Sequence, residues 1–191
     1  MTPQVLISQG NVLSTEAPAI LMAIDDAAPG MGGTIARAFE RRYPDAWEEI
    51  EQDIEYQVGL GRSQILEVPL DLECPFRHVI LASTLHHLDV IDTDGRIQIL
   101  RAALSEALGL AANRSITHMA SAVMVGGWRL GLEEAASTML ETYFERYDVR
   151  GTLPRFTIHV ITDRDYSRLI ASLTEKFAIE LDASTLRVQR K

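Results

Sequence analysis

The sequence predicts an α/β layered fold with a mostly parallel central sheet. Short apolar runs bounded by turn residues alternate along the chain with longer segments of helical period. Strands alternating with helices imply crossover connections, and crossovers imply parallel pairing. No internal repeat or low-complexity stretch interrupts the series. At 191 residues and 47% hydrophobic content, the chain can bury one sizeable core. A single domain over residues 1–191 is expected.

The elements follow in order. Val5 to Ser8 reads as a short strand, and Pro18 to Ile24 as a buried one because its apolar run is nearly unbroken. A glycine cluster follows, Gly30 to Gly33. From there Ile35, Ala38 and Phe39 share a face opposite Arg37, Glu40, Arg41 and Arg42, a helical pattern that Tyr43-Pro44 ends. Asp45 to Val58 reads as an acidic amphipathic helix. Gln64 to Val68 and His78 to Thr84 are strand candidates. Gly95 to Leu110 is the clearest helix, with Ile97, Leu100, Ala103, Leu104 and Leu108 on one face. Thr117 to Val125 reads as a strand broken by Gly126-Gly127. A helix over Leu132 to Tyr147, a strand over Phe156 to Thr162 and a last helix over Tyr166 to Phe177 complete the series.

Composition narrows the function classes. The net charge is −9, from 27 acids and 18 bases, and the only lysines are Lys176 and Lys191. Such a field repels polyanions, so contact with a nucleic-acid backbone is not expected. A small anion is a different case, because backbone amides at a helix N-terminus hold a phosphate without a side-chain cation. No apolar run reaches the roughly 18 residues of a membrane span, and "MTPQVLISQG" lacks the regions of a signal peptide. A cytoplasmic protein with no membrane partner is expected. The single cysteine, Cys74, forms no internal disulfide, fits a reducing compartment and reads as a small, partly buried residue.

Two strand-to-helix junctions carry glycines, Gly30 to Gly33 and Gly126-Gly127. In parallel sheets, ligands bind outside the C-terminal strand ends, so both clusters should lie on the ligand edge. Glycine lets backbone N–H groups approach a ligand closely, and the following helix presents unpaired donors, an environment suited to a pyrophosphate. A P-loop is excluded, since no glycine precedes Lys-Ser or Lys-Thr. The glycine spacing of "GMGGTI" also departs from a dinucleotide fingerprint.

Over about Val5 to Leu173 the chain resembles the macro domain family. The residues that carry the resemblance are Gly10-Asn11, then Ala23-Ile24-Asp25-Asp26, then Gly32-Gly33-Thr34-Ile35, and later "MVGGWRLGLEEAA", with Gly126 on the family's glycine and Trp128 on its aromatic. The resemblance implies a three-layer α/β/α fold with a mixed, mostly parallel sheet. It also implies binding of ADP-ribose or a related NAD-derived nucleotide, with an ADP-ribosylated protein as a further partner and no cofactor. The implied site comprises Asn11, Gly30, Gly32, Gly33, Thr34, Ile35, Val125, Gly126, Gly127, Trp128 and Arg129, with Asp26 as the catalytic candidate.

Several of these positions depart from the family pattern. Asn11 replaces an Asp that accepts from the adenine amino group, and keeps a hydrogen bond while losing the charge. Asp26 replaces an Asn that contacts the distal ribose; it accepts from hydroxyls but cannot donate, and it repels a nearby phosphate. Arg129 replaces a loop glycine and offers a phosphate clamp, the alternative being a solvent-facing arginine. Thr34 reads as either a helix N-cap or a phosphate donor. Trp128 either walls off the ribose or packs on its own loop. Whether such a protein reads or hydrolyses ADP-ribosyl groups stays open.

Other chemistry finds little support. His86-His87 with Asp89 invites a metal reading, but adjacent histidines diverge and no third His or Cys stands at ligand spacing. His118 and His159 sit in apolar strands and read as core histidines. No serine occupies a Gly-x-Ser-x-Gly elbow, and both lysines lie near the C-terminal end. Catalysis would use a positioned water, with Asp26 as its base. The rival reading is a macro-like fold without a ligand, whose acidic surface at Glu48, Glu49, Glu51 and Asp53 serves protein association.

Overall fold

The computed structural model describes residues 3–26, 33–54, 58–127, 129–182 and 185–191. In chain order these form β1 (Val5–Gln9), β2 (Ala19–Asp25), α1 (Thr34–Arg42), α2 (Pro44–Glu51), β3 (Ser63–Glu67), β4 (His78–Leu85) and α3 (Thr93–Asn113). Then come β5 (His118–Ala122), α4 (Leu132–Arg150), β6 (Arg155–Val160), α5 (Asp163–Lys176), β7 (Phe177–Asp182) and β8 (Thr185–Arg190). A short 3-10 turn, Val12–Ser14, follows β1.

One eight-stranded sheet runs in the order β3-β4-β2-β5-β6-β1-β8-β7. The five inner strands, β4 to β1, are parallel. Antiparallel strands close both sides, β3 on β4 and the β7–β8 hairpin on β1. The sheet is therefore mixed and mostly parallel. Its alternating side chains feed two cores, as the period-two geometry of strands requires. Leu21, Ile80, Phe156 and Ile158 point into a core with Leu104, Leu108, Met139 and Tyr143 of α3 and α4. Ile20, Met22, Val79 and Leu81 point into the other, with Phe39 of α1 and Trp47 and Ile50 of α2. Each fully buried side chain of this size contributes roughly 1.5–3 kcal/mol, so both faces hold the layers together. The result is a three-layer α/β/α fold.

Three elements differ from the sequence reading. The helix expected over Asp45 to Val58 ends at Glu51, and its last two turns carry acids with no basic residue to meet the helix C-terminus. Residues 55–57 of that expectation lie outside the described residues. The strand expected to reach Val125 stops at Ala122, because Val123 to Val125 leave the sheet to enter the glycine turn. The last helix starts at Asp163, where the Thr162 hydroxyl caps it by accepting from Asp165 N–H at 3.1 Å. Phe177 is then not helical: it opens the hairpin that pairs with β1. Among the described residues no helix is long and apolar enough to cross a membrane.

Candidate functional site

β2 and β5 are neighbours and parallel, so their C-terminal ends lie on the same edge of the sheet. Gly33 stands at the N-cap of α1 with φ 21°, and a Cβ there would lie 2.2 Å from the carbonyl oxygen of Ala23. Only glycine lets the start of α1 press on the end of β2 this closely. In the second loop Gly126 and Gly127 have φ of 54° and 64°. The left-handed pair turns the chain so that the Val125 carbonyl accepts from both Arg129 N–H and Leu130 N–H, at 3.0 and 3.1 Å.

Helix N-termini distinguish this edge. Asp92 caps α3 by accepting from Gly95 N–H at 2.8 Å, and Thr162 caps α5. α2 and α4 have no side-chain cap but carry Asp45, and Glu133 and Glu134, in their first turns. Of the five α-helices among the described residues, α1 alone has neither a capping side chain nor an acid in its first turn. Its first-turn N–H groups and positive dipole end make an environment suited to an anion.

The other expected site residues fall as follows. Thr34 is exposed and is the first residue of α1, so the cap position belongs to Gly33. Ile35 packs against the α1–α2 core. Asn11 follows β1 on the same edge, with its Oδ1 accepting from Leu13 N–H at 3.0 Å to cap the 3-10 turn. Arg129 is exposed, and its guanidinium donates to the carbonyl oxygens of His87 and Asp89, each at 3.4 Å. Gly30, Gly32 and Trp128 lie outside the described residues.

Asp25 and Asp26 take opposite sides of the chain. Asp26 is buried, and its Oδ1 accepts from Gly59 N–H at 2.7 Å, tying the end of β2 to the turn before β3. Asp25 faces the loop after β4. Its Oδ2 lies 2.9 Å from His87 Nδ1, and its Oδ1 accepts from His87 N–H at 3.3 Å. The register with β4 slips between Ile24 and Asp25, from Ser83 to Leu85, and this bulge aims Asp25 at the loop beyond β4. The sequence reading missed this pair. The adjacency His86-His87 was its only signal, because the bulge that aims Asp25 has none.

His86 and His87 lie next to each other in the loop after β4. Their rings lie nearly parallel, 16° apart, rather than diverging, and they meet different carboxylates, His87 with Asp25 and His86 with Asp89. No group of three ligand side chains occurs among the described residues. A cavity of about 380 Å³ lined by Gln4, Ser115, Tyr147 and Arg155 opens at the opposite edge, a full strand length from the glycine loops.

No protein-family model matches the sequence, and no curated protein matches it. Solved structures do. The chain is similar to the Oceanobacillus iheyensis macrodomain with MES bound, at TM-score 0.70 and 18% identity, covering 90% of each chain. It is similar to the Trypanosoma brucei macrodomain in complex with ADP-ribose, at TM-score 0.70 and 16% identity, covering 89% of this chain and 69% of that one. It also overlays Alphavirus P23pro-zbd at TM-score 0.67 and 17% identity, with 92% of this chain spanning about a quarter, 24%, of that protein. The chain has the macrodomain fold, in divergent form.

Proposed function

We propose that this protein binds ADP-ribose or a related NAD-derived nucleotide across the C-terminal ends of β2 and β5. The observation that carries this reading is the start of α1, a helix N-terminus with no side-chain cap among the described residues and no first-turn acid, pressed on β2 at Gly33, on the sheet edge that also carries the Gly126-Gly127 turn. A diphosphate suits such a helix start, where backbone donors meet its charge. A macrodomain of the same fold has been solved with ADP-ribose, which supports the nucleotide as the ligand class. Arg129, at the rim of the second loop, adds an exposed positive charge. Asn11 lies on the same edge beyond β1, where its amide N–H₂ is left to meet the base.

Calorimetric titration with ADP-ribose tests the reading: a micromolar dissociation constant is expected. One observation favours a second reading. Asp26 and Asn11 both hold hydrogen bonds within the protein, as they would in a fold that has no ligand and associates through the exposed acids of α2. Absence of heat at millimolar ADP-ribose would support that second reading and exclude the first.

A further inference from the structure

We propose that the cavity at the N-terminal ends of β5 and β6 is a second binding site, which takes a small organic carboxylate with an apolar body and holds its charge on Arg155. The site is independent of the nucleotide reading. Its position follows from the topology. Parallel strands β5 and β6 begin side by side, joined where Arg155 N–H donates to the Thr117 carbonyl at 2.9 Å, and α3 and α4 end next to them. The enclosed volume of about 380 Å³ lies within the range of small-molecule sites. Buried Ile116 and half-buried Leu153 and Tyr147 give the wall an apolar and aromatic character, while the exposed hydroxyls of Ser115 and Thr152 stand at its mouth.

Charge selects the ligand class. Arg155 is the one charged residue on the cavity wall among the described residues. Its Nη2 donates to His118 Nδ1 at 2.8 Å, and among the described residues it forms no salt bridge. Burial, with Arg155 and His159 beside it, lowers the pKa of His118 to about 4, so this partner is neutral and leaves the guanidinium charge unbalanced. At the same end of the molecule Arg150 also meets a neutral acceptor, the side-chain oxygen of Asn113 at 2.7 Å. This end is thus locally positive in a chain of net charge −9. The planar fork of Arg155 keeps donors beyond the one given to His118, and such a fork matches a carboxylate. A phosphate dianion would find a single cation on an otherwise neutral, largely apolar wall, whereas a carboxylate brings one charge and a body to bury. Ser115 adds a second sign of use. With φ of 56° it is the one non-glycine residue in the left-handed region among the described residues, just past the end of α3 where glycine is the usual choice. The chain accepts that backbone cost and keeps a hydroxyl at the cavity mouth.

The test titrates ¹⁵N-labelled protein with indole-3-acetate and, in parallel, with its neutral analogue indole-3-acetamide, following backbone amides by NMR. The acid is expected to shift the Ser115, Thr117 and Leu153 amides saturably, with a dissociation constant of about a millimolar, as for a ligand of this size. The amide should bind about tenfold more weakly, and Arg155→Gln should lose about tenfold for the acid, because each removes a charge-assisted hydrogen bond. Arg155→Gln also removes the partner of His118, so a second variant guards against a general effect on the fold. Thr152→Trp alters an exposed residue, keeps Arg155 and fills the mouth; it should abolish the shifts while the rest of the spectrum stays that of the folded protein. Shifts at Gly33 and Gly126 in place of the cavity amides, equal binding of acid and amide, or undiminished binding in either variant would overturn the proposal.

Discussion

The carbonyl oxygen of Ala23 occupies the space a side chain on Gly33 would need, at 2.2 Å from the ideal Cβ position. The obstacle is strand backbone in the middle of the sheet, so α1 would have to give way. Gly33→Ala should therefore lower stability by about 1–3 kcal/mol, the cost of a strained backbone position. It should also weaken ADP-ribose binding at least tenfold by lifting the helix N-terminus from the site. Urea denaturation and calorimetry measure the two effects separately, and unchanged affinity would remove the diphosphate from this loop.

Arg129 reaches two carbonyl oxygens at the long distance of 3.4 Å and is exposed, so a ligand phosphate competes easily for its guanidinium. Arg129→Ala should weaken ADP-ribose binding by about 1–3 kcal/mol, the range for a charge-assisted hydrogen bond. Arg129→Lys should recover only part of that loss, because an ammonium lacks the planar fork. An effect of a few tenths would assign the residue to the His87–Asp89 loop alone.

Asp26 separates stability from binding. Asp26→Ala leaves Gly59 N–H without its acceptor and should cost about 1–3 kcal/mol. Asp26→Asn keeps an acceptor and removes a negative charge near the proposed diphosphate, so it should fold normally and bind ADP-ribose more tightly. Unchanged affinity in the Asn variant would place the diphosphate away from Asp26.

Acid should destabilise the fold through two β-sheet histidines. Burial, with Arg155 and His159 beside it, lowers the pKa of His118 to about 4. Its two ring nitrogens are engaged by Thr157 Oγ1 at 2.9 Å and Arg155 Nη2 at 2.8 Å, and accepting from arginine requires the neutral ring. Burial lowers the pKa of His159 too. In the unfolded chain such groups titrate near 6.5. Between about pH 6.5 and 4 the unfolded chain therefore takes up protons that the folded one refuses, so stability is full above that window and falls through it. The urea midpoint should drop between pH 7.5 and pH 4.5, and His118→Gln should show a smaller drop.

The inner sheet was legible because its strands are apolar on both faces, as in Ala19 to Ile24, and helices such as α3 kept a clean period. The C-terminal hairpin went unread although its alternation is present: Phe177, Ile179 and Leu181 alternate with Ala178, Glu180 and Asp182. A helix assigned through Phe177 absorbed the first strand and hid the pattern. At the site, glycine loops announced themselves through residue type. The direction of Asp25 depended on a register slip against β4, a tertiary event with no local signature. The commitment of Asp26 to Gly59 spans 33 positions and is equally invisible in sequence.

The antiparallel hairpin carries a practical consequence. β8 runs against β1, with Val5 opposite Val188, so the first and last described residues leave the domain together, at the edge away from Gly33 and Gly126. A linker, tag or solid support joined to either end points its load away from the glycine loops. The protein can thus be tethered at high density, or strung in tandem, with Gly33 and the Gly126-Gly127 turn still facing the solution.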